Sequence, residues 1–320
     1  MAKGISTYYG QQYLTAVEPN ILLNSDMYRW QRGVSLVVDN DYTCDRFAAR
    51  AVNQLLASSS SVQLIEDSII PTGVGARKSA VINANQIATS LGFGQRIEST
   101  ELDSYRGKMM QFSTYIQRIA SLPGSNIQLA YSEAASPNTY TGNYLNDMPN
   151  LMYDSSFDGL TTIGFDRVSG EILITDSMAD NGIQIGLKIV NAGETTAELT
   201  GNLCRVTGFM LNQSTVLTPY KKAFSSQTIE NEALEYYYEK FNEIDAAIWC
   251  TEVGGIYFGF TWRRTKRIPP ALTYDPTRFA GAGDGSPYSL GPPSTEGCYI
   301  TAGAGHLHLP RKLTIDAEIR

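Results

Sequence analysis

The stretch Ile183–Val190, which reads IQIGLKIV, decides the fold class of this chain. Its apolar residues recur at every second position and share one face, namely Ile183, Ile185, Leu187 and Ile189. The residues between them are Gln184, Gly186 and Lys188. Successive side chains of a β-strand point to opposite faces, so a period of two is the signature of a strand. We therefore predict a half-buried strand here, with one face in the core and one in solvent.

The same pattern extends over much of the chain. Alternation recurs in QFSTYIQ at 111–117, and runs rich in β-branched and aromatic residues predict further strands at 34–38, 62–66, 79–83, 126–131, 171–175, 203–211, 255–262 and 312–319. Gly, Pro, Asn, Asp and Ser separate these runs at short intervals, which is typical of an all-β sandwich. The segment 45–58, DRFAARAVNQLLAS, fits either a short amphipathic helix or a strand followed by a loop.

One helix is predicted after the sandwich. In TIENEALEYYYEKFNEI the residues Ile229, Ala233, Tyr237 and Phe241 recur every four positions, and three glutamates lie near its N-terminal end, where the helix dipole favours negative charge. We place this connecting helix at 226–245. The Pro- and Gly-rich segment 275–298 is predicted to be a long irregular loop inside a small C-terminal β module at 246–320.

Charge narrows the classes of partner. The chain has 25 Lys and Arg against 32 Asp and Glu, a net charge of −7. Proteins that hold a phosphate backbone need a basic surface, so we expect no nucleic-acid partner. Only 18% of the residues are charged, while 19 are Tyr, a composition that suits recognition by neutral surface contacts.

Cysteine spacing and hydropathy exclude further classes. Cys44, Cys204, Cys250 and Cys298 form no C-x-x-C pair, so neither a zinc knuckle nor a redox motif is encoded, and we expect free, mostly buried thiols. The N-terminus has no apolar core of a signal peptide, and about 18 apolar residues never run together. We expect synthesis in a cytoplasm, with no secretion signal and no membrane insertion.

Several segments together resemble phage and prophage tail-fibre proteins. NILLNSDMYRWQRG (20–33) followed by YTCDRFAAR (42–50) is similar to the opening of the carbohydrate-binding-module-like jelly-roll domain of that family. FGQRIESTELDSYRGKMMQFSTYIQ, VTGFMLNQSTVLTPYKKAFSSQTIENEALEYYYEKF, FTWRRTKRIPPALTYDPT and LTIDAEIR resemble its later segments in the same order. The resemblance implies a jelly-roll β-sandwich at 20–225, then the helix and the C-terminal module.

The departures from the family pattern are small. Ser25 stands where the family usually has Gly, and Cys44 where it usually has Ala. Residues 1–19 precede the jelly roll and are rich in Tyr and Gln, including Tyr8, Tyr9 and Tyr13. We expect this segment to attach the chain to other virion proteins, because it is too polar to form a core alone.

Trp30 supports two interpretations. As a sugar platform, its indole face would stack on a pyranose while Arg29, Arg32 and Asp45 bind hydroxyls. As a core residue, it would fill the space between the sheets while Asp45 and Arg46 tie down the following segment through charge-assisted hydrogen bonds. In this family the Trp-Gln-Arg-Gly element recurs beside the first strand, whichever ligand the protein binds. Such recurrence favours the packing interpretation.

The scarcity of histidine limits the catalytic mechanisms that this sequence can encode. The two histidines, His306 and His308, both lie in GHLHLP, so a Ser-His-Asp triad would have to take its base from that one segment. A glycosidase needs only two suitably spaced carboxylates, which the sequence neither indicates nor excludes. We expect no enzymatic activity and no cofactor.

Two metal hypotheses stay open beside structural ones. His306 and His308 are two residues apart and would share one face of a strand, where local hydrogen bonds satisfy them or, in a trimer, three copies form a six-nitrogen metal site on the axis. Asn24 and Asp26 either cap the first turn or contribute to a calcium site.

These observations predict a non-enzymatic structural protein of the phage virion, of the fibre or spike class and assembled as a homotrimer. Its expected role is adhesion to a host cell-surface glycan, with avidity gained from repeated weak sites. The alternatives are an architectural head, collar or capsid decoration fibre without a receptor, and a carbohydrate-binding module of a glycan-degrading enzyme.

Overall fold

A computed structural model describes side chains at 20–30, 46–52, 62–84, 88–140, 145–191 and 199–224. It describes strand positions alone at 35–38, 41–42, 53, 58–60, 85–87, 238–241, 247–250, 256–261, 271–274, 289–290, 297–302, 305–308 and 313–316. The chain divides into two units, with the boundary between Glu230 and Asn231.

The first unit is built from two antiparallel sheets. Its strands are β1 Ser35–Val38, β2 Asp41–Tyr42, β3 Phe47–Asn53, β4 Ser58–Ser60, β5 Val62–Asp67, β6 Ser79–Ala88, β7 Ser90–Ile97, β8 Met109–Arg118, β9 Ser125–Glu133, β10 Asn150–Ser156, β11 Asp166–Leu173, β12 Ile183–Asn191 and β13 Leu199–Gln213. The first sheet has the order β1-β5-β6-β13-β8-β11, and the second has the order β10-β9-β12-β7-β3-β2, with β4 paired to β3. Two short helices interrupt the strands, α1 Ser99–Leu102 and α2 Asp176–Asn181.

The strand order is that of a jelly roll. Four strands of the first sheet follow the order β6-β13-β8-β11, and four of the second follow β7-β12-β9-β10. The chain changes sheet after each of these eight strands except between β9 and β10, which is the path of two Greek keys folded onto one another. The predicted all-β jelly-roll class is therefore confirmed.

An aromatic cluster joins the two sheets. The rings of Phe47 on β3 and Phe93 on β7 stack with their centroids 5.1 Å apart. Phe209 on β13, in the opposite sheet, meets both rings edge-on at 5.0 and 5.7 Å. All three side chains are fully buried. Offset and edge-to-face pairs of this kind are favourable beyond the area they bury, so they help fix how the sheets face each other.

The segment 20–30 is bound into this sandwich by its polar side chains. The Asn20 amide donates to the Phe209 carbonyl at 2.8 Å and accepts from the Leu211 backbone N–H at 3.0 Å. Gln95 on β7, in the second sheet, donates to the Leu23 carbonyl. The segment therefore contacts strands of both sheets, and its buried polar groups are matched by specific partners.

The prediction that β12 exposes its second face was wrong. Gln184, Gly186 and Lys188 are buried like the apolar residues between them. Small residues form a row across four strands on this face, in the order Ala48, Gly94, Gly186 and Ala130. The segment 145–149 covers the face, and its Leu145 and Met148 pack with Ala48 and Ala130.

Residues 45–58, which the sequence left open between helix and strand, form strand β3 at Phe47–Asn53. Cys204 is a free, buried thiol as predicted, and burial raises its pKa to about 12. Within the side chains that the structure describes, no helix is long and apolar enough to cross a membrane.

The second unit contains only strands among its described residues. They are β14 Tyr238–Phe241, β15 Ala247–Cys250, β16 Ile256–Thr261, β17 Ala271–Tyr274, β18 Ser289–Leu290, β19 Gly297–Ala302, β20 Gly305–His308 and β21 Leu313–Asp316. They form the sheets β14-β21-β17 and β16-β19-β18 and the pair β15-β20. The predicted helix at 226–245 is wrong at its C-terminal end, because Tyr238–Phe241 pairs with β21; aromatic residues are in general enriched in strands. The rest of that helix, and most of the predicted loop at 275–298, lie outside the described residues.

Candidate functional site

Trp30 lies in the core of the sandwich. Its side chain is 9% exposed and belongs to the main apolar cluster, and its indole Nε1 donates to the Met27 carbonyl at 2.6 Å. A sugar platform needs an exposed ring face, so the structure favours the packing interpretation over glycan stacking. Arg32 and Asp45, the other proposed glycan-binding residues, lie outside the described residues.

Arg46 is a buried side chain that joins β3 to parts of the second sheet and of α1 that are distant in sequence. It has a left-handed backbone conformation, with φ at +74°, and its guanidinium donates to the Arg96 carbonyl at 3.0 Å and to the Glu101 carboxylate at 3.3 Å. Glu101 belongs to α1 and also accepts from the Glu98 backbone N–H, completing the capping box of that helix. Arg46 therefore ties the start of β3 to the end of β7 and to α1, rather than to the segment that follows it in sequence, which was the structural expectation.

Asn24 and Asp26 bind protein groups. The Asn24 amide exchanges two hydrogen bonds with the Arg29 backbone, at 2.9 and 2.8 Å, which closes the turn. Asp26 is completely buried, and its two carboxylate oxygens accept hydrogen bonds from the Arg77 guanidinium at 2.5 and 3.0 Å. The turn-capping interpretation holds for Asn24, and Asp26 pairs with a cation of the chain itself.

The remaining predicted sites are described less fully. His306 and His308 lie on β20, where they pair in register with Trp249 and Ala247, so both occupy one face of one strand. Their side chains, and the attachment residues Tyr8, Tyr9 and Tyr13, lie outside the described side chains. Among the side chains that are described, no group of three or more His, Cys, Asp or Glu residues could hold a metal ion.

A depression of about 400 Å³ lies on the face of the second sheet that points away from the core. Strands β7, β12 and β9 contribute its floor, and the segment 145–149 together with β10 contributes part of its wall. Its volume falls in the range of small-molecule sites. The sequence did not point to it, because its residues come from four separate stretches of the chain.

The floor of the depression is polar. It contains four buried polar side chains, those of Ser90, Gln128, Asn146 and Lys188. Ser90 donates to the Asn146 carbonyl at 3.1 Å, and Gln128 donates to the Asp154 carboxylate at 3.2 Å. Asn146 is 2% exposed, and its side-chain oxygen accepts no hydrogen bond from any described group. Buried acceptors of this kind are uncommon in folded proteins and mark a place where a further polar group is expected.

The rim is mixed in character. Asp147 is exposed, and its carboxylate accepts the Asn146 amide at 2.8 Å. Three apolar side chains, Pro149, Leu151 and Val190, also line the opening, and Leu151 is 49% exposed. The rim thus offers an acceptor for hydroxyl groups beside an apolar surface, while no aromatic ring lines the depression among the described residues.

Lys188 supplies the positive charge of the floor. Its side chain is 9% exposed, and its Nζ donates to the Met148 carbonyl at 2.9 Å, which also holds the segment 145–149 on the sheet. Burial lowers the pKa of Lys188, and the nearby carboxylates of Asp147 and Asp154 partly offset that effect. The ammonium therefore serves first as a structural donor beneath the ligand space.

Together these groups suit binding of a small polar molecule. The floor and rim offer amide, hydroxyl, carboxylate and ammonium groups at one opening, next to aliphatic carbon. Hydroxyl groups of a ligand can both donate and accept, so they are able to match such a mixed set, while aliphatic side chains cover C–H surfaces.

Comparison with known proteins yields remote likenesses in structure alone. No protein-family model matches the sequence, and no curated protein does. An arabinose-bound MgGH51 α-L-arabinofuranosidase has a TM-score of 0.36 and 14% identity, covering 68% of this chain and 30% of that one. The enzymatically active domain of tailspike protein 4 of bacteriophage CBA120 has a TM-score of 0.34 and 9% identity, covering 60% and 21%.

The N-terminal CBM22-1-CBM22-2 tandem domain of Paenibacillus barcinonensis Xyn10C has a TM-score of 0.35 and 8% identity, covering 95% of this chain and 92% of that one. The chain thus spans less than a third of the arabinofuranosidase and of the tailspike domain. Likenesses this remote identify no function, and the jelly-roll assignment rests on the strand order of the chain itself.

Proposed function

We propose that this chain is a non-enzymatic glycan-binding protein whose jelly roll holds a sugar in the depression on its second sheet. The observation that carries the proposal is the polar floor of Ser90, Gln128, Asn146 and Lys188 beneath a rim with exposed aliphatic side chains. A sugar ring combines hydroxyl groups with C–H surface, and this opening offers partners for both.

Other ligand classes fit the depression less well. An apolar ligand would remove water from the polar floor without replacing its hydrogen bonds, which is unfavourable. A phosphate backbone would meet a chain of net charge −7 and the exposed carboxylate of Asp147. A polyhydroxylated, uncharged surface avoids both costs.

Binding at one depression is expected to be weak. No aromatic side chain lines it among the described residues, and aromatic contacts supply much of the energy at small binding sites. We propose that the chain acts as a homo-oligomer, in the sequence-based expectation a trimer, so that several sites engage one repetitive glycan and gain avidity from effective concentration. A particle of only 35.1 kDa in sedimentation at micromolar concentration would contradict this part of the proposal.

The proposed setting is the phage virion, where the chain would serve as a fibre or spike that adheres to a host-surface glycan. The support is the order of segments that resemble tail-fibre proteins, from NILLNSDMYRWQRG onward. Labelling intact particles with an antibody against the chain tests this setting. Absence of label from purified particles would leave a binding module outside the virion as the better assignment.

The binding proposal is tested by comparing two matched variants on immobilised glycans. Leu151→Ala removes an aliphatic side chain from the rim, whereas Leu173→Ala removes an equally exposed leucine, 48% against 49%, from β11 in the other sheet. We expect the first variant to weaken glycan binding and the second to leave it unchanged. Equal binding by both variants would place the sugar elsewhere, and new reducing ends released from the glycan would contradict the non-enzymatic assignment.

A further inference from the structure

The charges at the depression are arranged unequally with respect to solvent. Asp147 is exposed on the rim, while Lys188 lies beneath, with its ammonium bound to the Met148 carbonyl. Asp154 on β10 is also exposed, and its carboxylate accepts hydrogen bonds from the floor residue Gln128 and from Asn126. A ligand that approaches the opening therefore meets carboxylate before it meets ammonium.

A second described cation of this sheet, Arg50, stands away from the opening. Arg50 on β3 pairs in register with Gly92, which pairs in turn with Lys188, so the two cations stand two strands apart. Arg50 is not among the described residues that line the depression. Among the described residues that line the depression, the charged groups are the largely covered ammonium of Lys188 and the exposed carboxylate of Asp147.

From this geometry we infer that the depression selects neutral sugars and rejects acidic ones, with Asp147 as the residue that sets the selection. The inference rests on the proposed glycan-binding function and names its ligand class. Adjacent hydroxyl groups of a neutral sugar can donate to the Asp147 carboxylate, and charge-assisted hydrogen bonds of this kind are stronger than neutral ones.

A carboxylate or sulfate on the sugar would instead face the Asp147 charge at close range, where like charges repel. Lys188 compensates little for this repulsion, because its side chain is 9% exposed and one of its N–H groups is already bound to the Met148 carbonyl. Rejection of acidic sugars thus follows from which of the two charges is accessible.

The experiment uses an array of matched glycans and the full chain. Lactose is paired with sialyllactose, galactan with polygalacturonate, and dextran with dextran sulfate. We expect the neutral member of at least one pair to bind about tenfold or more tightly than its acidic partner at low salt. Added salt should narrow the difference, because the repulsion acts between groups near solvent.

Two variants assign the selection to its residue. Asp147→Asn keeps the size of the side chain and removes its charge, so it should bring the neutral and acidic members of a bound pair closer together. Glu171→Gln removes a charge from an exposed position on β11 in the other sheet and should leave the ratio unchanged. Urea unfolding of both variants verifies that the fold is intact.

Each outcome has one meaning. Acidic members that bind as well as neutral ones, or a ratio that Asp147→Asn does not alter, would overturn the selection while leaving glycan binding in place. Failure of every glycan on the array would overturn the proposed function itself, and this inference with it.

Discussion

The backbone carbonyl of Leu145 lies directly against the bare α-carbon of Gly92. A Cβ atom at position 92 would come within 2.2 Å of both the carbonyl carbon and the carbonyl oxygen of Leu145. No real Cβ contact is that short, so the segment 145–149 can rest on the sheet only because position 92 has no side chain. The wall of the depression therefore depends on a glycine on the neighbouring strand β7.

Gly92→Ala is expected to lift the segment 145–149 from the sheet. The added methyl group meets backbone atoms, which cannot move aside as a flexible side chain does, so we expect a loss of about 1–3 kcal/mol in unfolding free energy together with loss of glycan binding. Gly164→Ala is the matched control, because a Cβ there meets nothing within 4 Å. Denaturant unfolding and glycan binding of both variants check the prediction, and normal binding by Gly92→Ala would show that the segment is not part of the site.

Trp30→Ala should destabilise the sandwich without altering the depression. The indole is buried in the main core, and its removal leaves a large cavity, for which we expect a cost of about 3–5 kcal/mol. Trp30→Phe retains much of the apolar contact and loses the hydrogen bond to the Met27 carbonyl, so its cost should be smaller, about 1–2 kcal/mol. Thermal unfolding measures both. An unchanged melting curve with lost glycan binding would revive the sugar-platform interpretation.

Asp26→Ala should cost far more than loss of a surface ion pair. Asp26 is completely buried and neutralises Arg77, whose guanidinium also lies 4.0 Å from the centre of the Tyr28 ring. Removing the carboxylate takes the buried anion away from a partly buried cation, and we expect a loss of about 2–4 kcal/mol.

The control for Asp26→Ala is Asp103→Ala, which removes one of three exposed aspartates around Arg106 and should cost less than about 1 kcal/mol. Urea unfolding compares the two. Equal costs would mean that burial of Asp26 contributes little to the pair.

Asp158 should make the sandwich sensitive to acid. The Leu122 backbone N–H, followed by Ser121 and Arg118, donates to its carboxylate and lowers its pKa, and partial desolvation opposes this only in part. A lowered folded-state pKa adds stability above the unfolded-state value of about 3.9, and that stability is lost as the pH falls through the folded value.

The unfolding free energy of the wild type should therefore fall more steeply than that of Asp158→Asn below about pH 4. Urea unfolding at a series of pH values tests this. Parallel curves for the two proteins would show that Asp158 does not titrate differently in the folded chain.

Periodicity in the sequence was sufficient to predict the sandwich, but it did not predict that the outer face of strand β12 is buried. The alternation of Ile183–Val190 located β12 correctly, because one apolar face is a local property of the strand. Burial of Lys188 depends on the segment 145–149, which is more than thirty residues away and carries no sequence period of its own. Strand β7, Ser90–Ile97, was not among the predicted strands, since glycines at 92 and 94 interrupt its apolar pattern.

Unusual local sequence elements identified structural residues, whereas the residues of the candidate site have no local signature. Trp30 and Arg46 stood out as unusual local elements, and both are structural in the sandwich. Gln128, Asn146 and Asp147 looked like ordinary polar residues and meet only through the jelly-roll crossing of strands. The period of four that predicted the helix runs from Ile229 to Phe241, yet Tyr238–Phe241 pairs as a strand with β21, because tertiary pairing overrides a weak helical preference.

In the proposed site, the scaffold strands β7, β9 and β12 contribute to the floor, whereas the segment 145–149 and Leu151 contribute to the wall and rim. The eight strands of the two Greek keys form the scaffold, whereas 145–149 is a short connection that lies on a bed of glycine and alanine. Its backbone at Leu145 fits against Gly92, and its Leu145 and Met148 side chains pack with Ala48 and Ala130. A library randomised at 146, 147, 149 and 151, with Leu145, Met148 and the glycine bed retained, would therefore explore new ligands on an unchanged sandwich. The segment 145–149 would then resemble a hypervariable loop of an antibody domain, in which the sequence varies while the supporting strands stay constant.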